Sequence, residues 1–190
     1  MAITLDEQLR ILRVAVEADI SPPSQILVAS ADESDGASAL ALGLARAFAA
    51  AGRSTALLRL DAAEQRTGSA LGLRLAELKA KYDVCIVEAA HVLESSVALD
   101  AARIVDGVIL VVGLGRRVRR ADRDVVPALT RFGARVLGVV AAEPRRLAEL
   151  AAAGAHDVHI VGPARSSLRV VLGETAQSPT SAEAHLLLER

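Results

Sequence analysis

From Gln25 onward the chain repeats one unit: a short run of apolar, mostly β-branched residues, then an alanine- and leucine-rich stretch of helical length. The runs fall at 26–30, 55–60, 84–88, 107–112, 135–140 and 158–161. Each is apolar on both faces instead of alternating, the signature of central strands covered by helices on both sides. Helices are expected between them at 37–51, 71–81, 92–103, 120–132 and 144–153. A strand–helix alternation sustained this long predicts an α/β domain, a parallel sheet flanked by helices on both faces. With 52% hydrophobic and 24% charged residues, the chain has the material for such a core, and disorder is excluded for most of it.

An extra helix precedes this unit. Thr4 and Glu7 form a capping box, and Leu5, Leu9, Leu12 and Val16 recur at helical spacing as one apolar stripe beside a charged flank of Glu7, Arg10 and Arg13. Ser21-Pro22-Pro23 ends the helix. The expected organisation is an N-terminal oligomerisation helix (1–20), one α/β domain (25–173) and a loosely docked tail (174–190).

Several function classes drop out. A net charge of −1 supplies no global field toward nucleic acid, and two phenylalanines and one tyrosine are too few for base stacking. The lone Cys85 lies in an apolar run, where a buried, inert thiol is expected. No leader pattern opens the sequence, and no apolar run nears the about 18 residues of a spanning helix. A cytoplasmic location is expected, with no direct membrane insertion, so any membrane role is expected to go through a partner. His91 follows the third strand without a second histidine or cysteine in register, and His156 and His159 flank a strand; all three read as surface residues. No Ser-His-Asp, CxxC or HExxH constellation is present.

In an open parallel sheet the ligand site lies at the carboxyl ends of the strands, and the first strand-to-helix loop is the usual phosphate cradle. Here that loop reads Ser30-Ala31-Asp32-Glu33-Ser34-Asp35-Gly36-Ala37-Ser38. It resembles the Walker A loop of the bacterial tyrosine-kinase and MinD/ParA branch of P-loop proteins, with Gly36 and Ser38 aligned and Ala37 in the lysine's place. The resemblance continues in family order over about residues 5–142. Arg59-Leu60-Asp61 is similar to the end of the strand carrying the extra Asp-x-Asp motif, with Asp61 retained. Tyr82 to Ala90 resembles the Walker B strand, with Glu88 where an aspartate is expected. The run 104–112 followed by Arg116, Arg117, Arg119 and Arg120 is similar to the next strand and its basic helix start, and 133–140 leads into Ala141-Ala142 where a base-reading asparagine would follow. Glu7-x2-Arg10-x2-Arg13 fits the motif by which the polysaccharide-export tyrosine kinases pack one subunit against the next.

The departures bear on activity. About 20 residues separate Asp61 from Tyr82, fewer than the kinases carry, and the kinases' terminal tyrosine cluster has no counterpart, since Tyr82 is the one tyrosine. Phosphoryl transfer depends on positioned positive charge, from the P-loop lysine and from magnesium. Ala37 removes the first, while Ser38, Asp61 and Glu88 keep the outline of a metal site. Asp32, Glu33 and Asp35 add carboxylates where a polyphosphate would sit, each contact costing about 3 kcal/mol at roughly 5 Å and an effective dielectric near 20. A cation or an inward-turned Arg59 would screen them without restoring a cradle. Taken alone, those three residues read as a solvated acidic loop at a helix N-terminus, and the arginines at 116–120 as a solvated basic face.

The resemblance therefore implies a P-loop NTPase-like domain with a vestigial nucleotide site (Gly36, Ser38, Asp61, Glu88), no catalytic residues, no metal and no cofactor. It also implies an oligomer interface at Glu7, Arg10 and Arg13. The expected function is a non-catalytic scaffold or regulator in exopolysaccharide or capsule biosynthesis and export, with a second copy, a membrane polysaccharide copolymerase or another export protein as partner. The alternative is a divergent MinD/ParA-type ATPase switch for positioning or for pilus or secretion assembly, binding ATP and Mg2+ weakly.

Overall fold

A computed structural model of the 190-residue chain describes residues 4–31, 36–60, 68–89, 91–114, 120–143 and 159–161. Helix α1 (Leu5–Asp19) begins where the sequence places it: Thr4 is the N-cap, and its hydroxyl accepts the Glu7 amide at 3.3 Å. The elements that follow are β1 (Ser24–Ser30), α2 (Ala37–Ala50), β2 (Thr55–Arg59), α3 (Gly68–Lys81), β3 (Val84–Ala89), α4 (Ser96–Ile104), β4 (Gly107–Gly113), α5 (Arg120–Arg131), β5 (Val136–Ala142) and β6 (His159–Val161). The strands form a six-stranded sheet in the order β5-β4-β1-β3-β2-β6, and every pairing is parallel.

All seven residues of β1 and of β4 are buried, because their alternate side chains enter two different cores. Ile26 and Val28 point to the layer built from α1 and α2, and Leu27 and Ala29 to the layer built from α3, α4 and α5. Helix α2 lies between the sheet and α1, which is why it is apolar around most of its circumference: ten of its fourteen residues are buried. From α1, Leu9 and Val16 are buried and Leu5 and Leu12 are packed against the same core, so the stripe read from the sequence is the docked face. Glu17 ties α1 to the turn before β2, bonding Arg13 on one side and Arg53 at 3.2 Å on the other.

The amino ends of the strands are pinned by polar contacts. Asp83 accepts from the Ser54 amide and hydroxyl, each at 2.8 Å, and these bonds hold its carboxyl below its ordinary value. Asp106 takes the Gln25 amide at 2.7 Å and the Lys79 ammonium at 2.8 Å, joining β1 to α3 and to the start of β4.

Element boundaries depart from the sequence expectation where caps decide them. The fourth helix, expected from residue 92, starts at Ser96, because the Ser95 hydroxyl caps it by accepting the Ala98 amide at 3.2 Å. Residues 91–94 form a turn in which His91 takes φ 50°. Helix α3 begins three residues earlier than expected, at Gly68, and α5 accommodates Pro127 in its interior. The helix expected at 144–153 and the tail at 174–190 lie outside the described residues.

Candidate functional site

The carboxyl ends of β1, β2 and β3 meet the N-terminus of α2. Gly36 is the N-cap of α2 at φ 90°, a left-handed conformation that glycine adopts without a Cβ penalty. That cap turns the chain so that Ala37 is buried at 3% exposure and Ser38, in the first helical turn, reaches the sheet. The Ser38 hydroxyl donates to Glu88 Oε1. Glu88 is the fifth residue of β3 and stands in register with Val28 on one side and Arg59 on the other. Arg59 ends β2, and its Nε lies 3.0 Å from Glu88 Oε2. The contact is a close ion pair set off the hydrogen-bond axis.

Both partners are largely removed from water, the side chains being 17% exposed for Arg59 and 12% for Glu88. Burial pushes the Glu88 carboxyl above its ordinary value, and the Ser38 hydrogen bond and the Arg59 charge pull it back part of the way. The backbone fixes this arrangement: the Leu60 amide donates to the Glu88 carbonyl at 2.9 Å, and the Val92 amide to the Ser30 carbonyl at 3.0 Å, so the turn at 91–94 is tied to the end of β1.

Ser38 and Glu88, singled out from the sequence, are thus brought together, with Gly36 at the turn that makes it possible. Asp61, Asp32, Glu33, Asp35, Arg116, Arg117, Arg119 and His156 lie outside the described residues, as do the side chains of Arg120 and His159. His91 is 43% exposed, with the Glu94 carboxylate 3.9 Å from its Nδ1. Cys85 is buried, with its thiol pushed up to about 12 by desolvation, so it carries no thiolate chemistry. In α1, Glu7 and Arg10 pair at 3.2 Å and remain exposed, whereas Arg13 is largely buried against Glu17. The three residues of the Glu-x2-Arg-x2-Arg pattern therefore divide into two exposed and one committed within the chain.

The pairing of Arg59 with Glu88 is the feature that sequence reading left unassigned. Its signal was a basic residue ending one apolar run and an acidic residue in the last part of the next, which a parallel register sets side by side.

A bound Mg2+ requires oxygen ligands with lone pairs turned to the ion in near-octahedral array. Here the Ser38 hydroxyl donates to one Glu88 oxygen and keeps its own lone pairs, but the other Glu88 oxygen faces the Arg59 guanidinium, which sets a cation where the ion would stand, and Ala37 supplies no ammonium for a phosphate. The described residues do not fit a magnesium–nucleotide complex.

No family model matches the chain, and no curated protein matches it. Solved structures do. The kinase domain of the Escherichia coli tyrosine kinase ETK superposes with a TM-score of 0.62 at 14% identity, over 85% of this chain and 79% of that one. The chimerical protein CapA2B2 superposes with a TM-score of 0.59 at 19% identity, over 71% of this chain and 83% of that one. Likeness at these identities establishes the fold. The chain is an α/β protein of P-loop NTPase-like architecture, preceded by an N-terminal helix.

Proposed function

We propose that this protein is a non-catalytic counterpart of the tyrosine-kinase domains it resembles, a scaffold or regulator in bacterial exopolysaccharide or capsule biosynthesis and export. The observation that carries the reading is the closed state of the strand ends. Glu88 is engaged by Ser38 and Arg59, and the residue between Gly36 and Ser38 is an alanine, on a fold that superposes on a tyrosine-kinase domain. Since the described residues at the strand ends are engaged with one another and Ala37 brings no ammonium, function is proposed to fall to surfaces. The first of these is the outer face of α1, where Glu7, Arg10, Ile11 and Val14 are all exposed. It is proposed to pack against a second copy or against a membrane polysaccharide copolymerase in a cytoplasmic complex. Among the described residues no helix is long and apolar enough to cross a membrane, which accords with a role through a partner.

The structure selects the probe. Arg13→Glu would place like charges beside Glu17 in a part-buried contact and damage the fold, whereas Arg10 is 64% exposed and, among the described residues, pairs within its own helix turn. Light scattering of the purified protein is expected to show a defined oligomer that Arg10→Glu dissociates while leaving circular dichroism unchanged. A monomeric wild type that also fails to bind a copolymerase cytoplasmic segment, or an unchanged mass for Arg10→Glu, would remove α1 from the proposal.

A further inference from the structure

Glu88 requires a balancing charge. A carboxylate with 12% of its side chain exposed, at the carboxyl end of a central strand, is costly unless a cation stands beside it. The described contacts name that cation. Arg59 Nε is 3.0 Å away, on the neighbouring strand and in direct register, so the guanidinium is delivered by the backbone and not by a flexible loop. The third member, Ser38, is held on the other carboxylate oxygen by the first turn of α2. A serine hydroxyl and a carboxylate converging at a helix N-terminus are oxygen donors of the kind that hard divalent ions take, completed by water. What separates this cluster from such a site is the guanidinium.

We propose that Arg59 is a built-in counter-cation, and that Ser38 and Glu88 form a latent divalent-cation site that its guanidinium keeps closed. The inference draws on the same three side chains as the proposed function, but its test reads cation binding and not assembly, so the two failures are distinguishable. In chemical terms, a permanent organic cation replaces an exchangeable inorganic one. The end of the sheet then holds one arrangement whatever the concentration of free metal, as suits a protein whose surfaces and not its chemistry are used.

The test uses the full chain and Mn2+ without nucleotide, read by thermal unfolding in EDTA and in Mn2+ and by the electron paramagnetic resonance signal of free Mn2+. Wild type is expected to show no Mn2+-dependent shift. Arg59→Met, which keeps the length and removes the charge, is expected to bind Mn2+, with its unfolding midpoint rising by about 3–6 °C at ten times the dissociation constant. Arg59→Lys restores a cation and should return to insensitivity, and Arg59→Met combined with Glu88→Gln should lose the binding. If Arg59→Met is unfolded in EDTA, recovery of its helical signal on adding Mn2+ supports the proposal, and continued unfolding in Mn2+ overturns it. It is also overturned by Mn2+ binding to wild type, or by a folded Arg59→Met that binds none.

Discussion

Glu88 and Arg59 are the pair on which the reading of the site depends, and their burial has a measurable consequence. Because burial raises the Glu88 carboxyl above its ordinary 4.5, the folded protein keeps a proton there that the unfolded chain has already released. The associated stability is complete below the unfolded value and is lost as pH rises through the raised one. Glu88→Gln should remove that slope, so that its unfolding midpoint varies less than that of wild type across the mildly acidic range. The same variant leaves the Arg59 guanidinium without its partner, and a loss of about 3 kcal/mol is expected at neutral pH. Denaturant titration at several pH values reads both effects, and two profiles of equal slope would contradict the assignment. A second residue-scale constraint sits at Gly107, where a Cβ would meet Leu137 Cδ1 at 2.5 Å. Gly107→Ala is expected to cost about 1–3 kcal/mol through forced displacement of Leu137. Leu137→Ala in the same chain should recover part of it, as a double-mutant cycle would show.

At the scale of elements, the apolar stripe of α1 was legible in the sequence because it repeats at helical spacing, and the structure docks that stripe on α2. Leu9, 3% exposed in that contact, is the residue to test: Leu9→Ala should destabilise by about 2–5 kcal/mol in urea unfolding. A change near zero would mean that α1 does not belong to the cooperative core. The strands were legible for the same kind of reason, since a run buried on both faces needs apolar residues at every position, as in Ile26 to Ala29. Boundaries were less so. The fourth helix starts at Ser96 and not at 92, because the local capping preference of Ser95 outweighs the apolar character of Val92 and Leu93. Of the candidate site, Ser38 and Glu88 were readable as donors, but their meeting was not. It depends on the turn at Gly36 and on the strand order, which sets β3 beside β1 and β2 beside β3. The role of Arg59 was hidden for the same reason, as neighbouring positions across a parallel sheet are distant in sequence.

For the molecule as a whole, the two faces of the sheet and the amino ends of its strands serve one purpose and the carboxyl ends another. The helical layers and the polar pins at Asp83 and Asp106 hold the fold, and at the carboxyl ends Ser38, Glu88 and Arg59 form a charge cluster. On the proposed reading, three side chains and one alanine separate this chain from the phosphoryl-transfer chemistry of the tyrosine-kinase domain whose fold it shares. The central proposal is that Arg59, Glu88, Ser38 and Ala37 do not hold a magnesium–nucleotide complex. Isothermal titration of ATP and ADP with Mg2+ into the 190-residue chain tests it most directly. The account predicts no binding heat at millimolar nucleotide from a folded sample, and a micromolar dissociation constant with Mg2+-dependent heat would contradict it.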